Sequence, residues 1–109
     1  MIVKLRRPDV TYPELSPGHQ YVVIGIEAGD LRLLNDRGMP YLYPRGLFDL
    51  VDEREPADWV VTLGADGERY AYPSPLDAVG FFEDYFDRKP EAAATFWRVV
   101  NDRLALAAS

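Results

Sequence analysis

Cysteine is absent from the 109 residues, which removes disulfides, thiolate metal sites and a cysteine nucleophile together. Histidine occurs once, at His19, and serine only at Ser16, Ser74 and Ser109. A general base needs a nucleophile and an orienting acid within reach. None of the serines lies in a nucleophile-elbow setting, so His19 reads as a surface turn residue. With one histidine, any metal would have to be held by carboxylates, which favour hard ions, and no calcium-loop spacing is present. No metal and no cofactor are expected. Gly25, Gly29, Gly64 and Gly67 match neither a phosphate loop nor a dinucleotide fingerprint. Long apolar runs are missing too. The longest, Tyr21 to Ile26, falls far short of the roughly 20 residues that cross a bilayer. The opening MIVKLRRPDV has too short an apolar run for a secretory signal. A cytoplasmic location without membrane contact is the expectation.

Basic residues are in short supply. Twelve Lys and Arg stand against 18 Asp and Glu, for a formal charge of −6 and a pI near 4.6. Nucleic-acid affinity rests on cations displacing counterions, so a phosphate backbone is excluded as a partner. The imbalance is local. Residues 1–50 hold six bases and six acids, whereas residues 51–109 hold six bases and twelve acids. One acidic stretch runs through Asp49, Asp52, Glu53, Glu55 and Asp58, with Arg54 among them, and another through Glu83, Asp84 and Asp87. Such a surface maintains solubility or steers the approach of a basic partner.

Apolar residues make up 48% and charged ones 28%, close to the average of soluble globular proteins and enough for one core. The length suits a single domain. Its first part, residues 1–73, reads as strands and turns: Ile2–Leu5, Tyr21–Glu27, Leu31–Leu34, a strand and bend from Tyr41, a strand over Leu47–Val51, then Trp59–Leu63 and Glu68–Tyr72 around Ala65-Asp66-Gly67. Prolines at positions 8, 13 and 17 keep the intervening segment out of a central strand. From Ser74 the signals are helical. Ser74-Pro75-Leu76-Asp77 offers a cap, an N1 proline and an early acid. The spacing predicts a helix from Pro75 to Tyr85 or Phe86 with Val79, Phe82 and Phe86 inward, though Gly80 could divide it into two short turns. A second helix, Glu91 to about Ala107, carries a stripe of Ala93, Phe96, Val100, Leu104 and Ala107.

The run PGHQYVVIGIEAGDLRLLNDRGMPYLYPRGLFDLVD, residues 17 to 52, resembles a group of small bacterial proteins with a Src-homology-3-like barrel. Its carriers are the Pro17-Gly18 turn, the strand with Tyr21, Val23, Gly25 and Ile26, Asn35-Asp36 with Gly38, the Pro40-Tyr41-Leu42-Tyr43-Pro44 element and Phe48. Some members resemble immunity proteins that neutralise toxins, and Gly80 to Asp87 (GFFEDYFD) also resembles the end of such proteins. The resemblance implies a small antiparallel Src-homology-3-like barrel and a binding role; with the two C-terminal helices read from the spacing, the expected fold is α+β, that barrel followed by two helices.

Four rings crowd residues 81–86 (Phe81, Phe82, Tyr85, Phe86), and Tyr41, Tyr43 and Phe48 surround a proline bend. Four rings in six residues wrap too far around a helix for all to face one core. Phe81 or Tyr85 is therefore expected outside. Rigid rings edged by acids are an interface composition. The leading expectation is a non-enzymatic domain that occludes a basic protein, foremost as an immunity protein against a cognate toxin. Tyr41, Tyr43, Phe81 and Tyr85 would be its anchors, and Asp49, Asp52, Glu53, Glu55, Glu83, Asp84 and Asp87 its steering acids. The alternatives are a scaffold domain without a tight partner, or a small hydrolase using Glu83 and Asp87 with His19.

Overall fold

The computed structural model describes residues 1–108. Seven antiparallel strands come first: β1 (Ile2–Leu5), β2 (Gln20–Glu27), β3 (Asp30–Leu34), β4 (Pro40–Pro44), β5 (Phe48–Asp52), β6 (Trp59–Leu63) and β7 (Arg69–Pro73). Helices α1 (Phe81–Phe86) and α2 (Pro90–Ala108) follow, with single 3-10 turns at Arg45–Leu47 and Ser74–Leu76. The α+β order and the strand positions agree with the sequence pattern.

Strand β2 organises the sheet. One of its edges pairs with β1 through Gln20–Val22 and with β7 through Ile26 and Glu27, while the other pairs with β3. Its register against β3 shifts between Val23 and Gly25. Such an irregularity bends a strand and re-aims its side chains. Ile24 packs with the helices, while its neighbours Val23 and Ile26 join the core formed by the strands. Gly25 is required here by a close approach, since a Cβ would lie 2.1 Å from the Tyr72 ring.

The expected closed barrel is not what the strands form. The path runs β4-β3-β2-β1-β5, with β6 held by β7, so among the described residues β4, β5 and β6 each keep one edge without a partner strand. Pro40 and Pro44 lack the N–H that a further ladder on β4 would use.

Two apolar clusters result. Val3, Leu5, Val23, Leu31, Leu33 and Phe48 belong to the first, which Leu15 completes from the proline-containing segment. That segment is tied down by Asp36, whose carboxylate accepts from the Ser16 hydroxyl at 2.6 Å and the Tyr21 hydroxyl at 2.7 Å. In the second, Ile24, Tyr72 and Leu76 meet Phe81, Phe96 and Val100 of the helices.

The single helix expected over residues 75–86 is divided. Gly80 takes φ 76° and opens α1, a left-handed conformation that glycine adopts at little cost. Restarting the helix at Phe81 resets its faces. Val79, expected inside, is fully exposed, and Phe86 is 40% exposed. Helix α2 matches its predicted span, and Phe96 and Val100 are buried as expected, although Leu104 is exposed.

Candidate functional site

The site is built around a buried cation. Arg32 lies between Leu31 and Leu33 on β3, and only 7% of it is exposed. Its Nε donates to the Tyr72 hydroxyl at 2.6 Å, Nη1 to the Pro40 carbonyl at 2.7 Å, and Nη2 to Glu27 Oε2 at 2.6 Å. The Tyr72 hydroxyl donates in turn to Glu27 Oε2 at 2.6 Å. The Phe82 ring lies 3.8 Å from the guanidinium carbon, a cation–π arrangement. Burial pushes the Tyr72 hydroxyl far above its ordinary value. Burial alone would raise Glu27, but the Tyr72 and Arg32 hydrogen bonds outweigh it and hold the carboxyl below its usual range. These partners match the Arg32 guanidinium, which fastens α1 to the sheet.

A cleft opens on each side of this junction. The first, about 490 Å³, is lined by Tyr12, Glu14, Arg32, Tyr41 and Phe86 among others. Tyr41 (43% exposed) and Phe86 (40%) stand with ring centroids 5.9 Å apart. The Glu14 carboxylate accepts from the Tyr43 hydroxyl at 2.9 Å, and Asn35 Nδ2 donates to that hydroxyl at 3.0 Å. The second cleft, about 250 Å³, is lined by Glu27, Tyr70, Asp77 and Glu83.

The structure separates the expected anchors. Tyr41 is exposed as expected. Tyr43 is not available, being 1% exposed, because it pairs with Leu31 on β3 and Tyr12 folds edge-on over it at 5.6 Å. Phe81 is likewise buried (9%), since the restarted helix turns it into the second cluster. Tyr85 is half-buried against Phe96, with centroids 4.6 Å apart. Phe86, expected inside, is the ring that reaches the surface.

The steering acids also divide. Asp49 pairs with Arg6 at 2.9 Å, Asp52 with Arg54 at 2.7 Å, Glu55 with Arg69 at 2.5 Å and Asp84 with Lys89 at 2.9 Å. Asp58, in the same loop, pairs with Arg103. The Arg54 side chain and backbone hydrogen bonds hold Asp52 well below its usual range, and the Arg69 bonds do the same for Glu55. Glu53, Glu83 and Asp87 are exposed and have no ion pair among the described residues.

His19 stacks near Tyr21 at 4.7 Å and lines a cleft with Val100 and Leu104 of α2. Glu83 lines the cleft beside Asp77 instead, so the triad of the hydrolase alternative is not gathered in one of these clefts. The sequence pattern does not single out Arg32, Glu27, Tyr72 or Glu14, and it assigns Phe86 to the core. The usable signals were the charge inside an otherwise apolar strand, LRLL, and a glycine within YVVIGI, which marks close approach by another group. The fold and site define an open antiparallel α+β domain with an aromatic groove edged by acids. Comparisons with known protein families, curated proteins and solved structures found no match.

Proposed function

We propose that this chain is a non-enzymatic protein-binding domain, an immunity-type protein that neutralises a basic toxin in the cytoplasm by covering it. The observation that carries this reading is the exposed Tyr41–Phe86 pair beside carboxylates that form no ion pair among the described residues. Those carboxylates are Glu14 in the groove wall, Glu83 and Asp87 on and next to α1, and Asp77 in the neighbouring cleft. The acids steer a cationic surface inward. A partner lysine or arginine then packs over the two rings, where cation–π attraction and desolvation act together. Arg32 offers little repulsion at the groove floor because Glu27 already neutralises it. The bulged β2 strand shared along both edges supports a Src-homology-3-like framework for this surface.

The test is co-expression with the protein encoded beside it, followed by co-purification and growth rescue. Rescue and a stable complex are expected. The double variant Tyr41→Ala/Phe86→Ala should weaken the complex by about a hundredfold, the loss of two ring anchors, while keeping its fold. A complex of undiminished affinity in that variant contradicts the groove as the binding surface.

A further inference from the structure

The three open strand edges are not alike. Strand β4 begins and ends with proline, and β5 carries Asp49 and Asp52 together with a register irregularity against β1. Prolines, charges and bulges are devices that prevent edge-to-edge pairing. Strand β6, Trp59-Val60-Val61-Thr62-Leu63, has none of them. It contains no charge and no proline, its register against β7 runs without a break, and Val61 and Leu63 are 48% and 66% exposed.

Gly64 N–H donates to the Glu68 carbonyl at 2.7 Å, and antiparallel bonding alternates from there. Thr62 with Tyr70 and Val60 with Tyr72 therefore bond inward, which turns the N–H and C=O of Val61 and Leu63 outward. The other edge of β7 agrees in phase, because the Arg69 carbonyl accepts from Ala28 N–H of the β2–β3 turn. Trp59 N–H is already used by the Pro56 carbonyl, leaving its own carbonyl available.

We infer that β6 is a self-association edge that pairs antiparallel with β6 of a second copy of this chain, about a two-fold axis at Val61. In that register Val61 N–H meets the Val61 carbonyl in both directions, and Leu63 N–H meets the Trp59 carbonyl in both directions. Trp59 faces Leu63, and Val60 faces Thr62. A two-fold interface must be complementary to itself, and this strand satisfies the condition electrostatically. Every facing pair is uncharged, so the −6 of each copy places no like charges opposite one another. A basic partner finds no carboxylate to hold along these five residues. None of these five residues lines the groove, and self-association through β6 is independent of the proposed function.

Sedimentation velocity over a range of concentrations, with amide exchange at both ends of the range, tests it on the whole chain. The chain should self-associate, and the Val61 and Leu63 amides should become protected at high concentration. Val61→Lys places two like charges at the axis and should weaken association about tenfold or more. Val61→Pro removes an outward N–H without touching the β7 ladder and should abolish it. A chain that stays monomeric throughout overturns the inference. So does a dimer that Val61→Lys leaves intact, or one whose new protection lies elsewhere.

Discussion

Residues 49–58 and residues 81–87 are both acidic, yet they end in opposite electrostatic states. Around the first, Arg6, Arg54, Arg69 and Arg103 answer Asp49, Asp52, Glu55 and Asp58. In the second, Lys89 makes its ion pair with Asp84 and reaches Asp87 only as a longer-range attraction, and Glu83 and Asp87 face water beside the exposed Phe86. Charge counted along the chain is thus a poor measure of the charge a partner meets. An internally paired carboxylate serves the fold, and in the proposed function one without a pair steers the partner.

The largest effect of internal pairing is expected where the pair lies deepest, at Arg32 and Glu27. Arg32→Ala should destabilise the domain by about 3–5 kcal/mol, since it strips a largely buried cation from Glu27 and Tyr72, and urea unfolding measures it. Next in size, Glu83→Lys/Asp87→Lys should slow association with the partner about tenfold at low salt and leave the melting temperature nearly unchanged. The corresponding reversal Asp52→Lys/Glu55→Lys should do the reverse, lowering stability with a smaller effect on the association rate. The smallest effect is that of Glu55→Gln, about 0.5–1 kcal/mol at neutral pH. Its sign with pH follows from the depressed folded-state value of Glu55. The stabilisation is complete above the ordinary glutamate value of 4.5 and is lost as pH falls through the lower folded value. Acid unfolding curves of Glu55→Gln should therefore be flatter below that point than those of the parent.

Local chemistry made the strands and turns legible. β-Branched residues mark β2 and β6, and Gly67 takes the positive φ of 80° that its hairpin needs. Gly80 was readable as a weak point, but where the helix would restart was not, and that decided which of the four rings became exposed. The site was far less legible. Alternation alone would assign Arg32 to a solvent-facing side of β3, and only α1, some fifty residues onward, covers that side with Phe82. The ion pairs were hidden for the same reason. Arg6 and Asp49 are 43 residues apart, and Arg103 and Asp58 are 45 apart, separations at which no sequence periodicity reports contact.

The most direct measurement compares the enhancement of amide-proton relaxation by a cationic nitroxide with that by a neutral one of similar size, residue by residue. The ratio reports the local potential without requiring a partner. It should be higher over residues 83–87 than over residues 52–58. An equal or higher ratio over residues 52–58 would contradict the assignment of steering to α1.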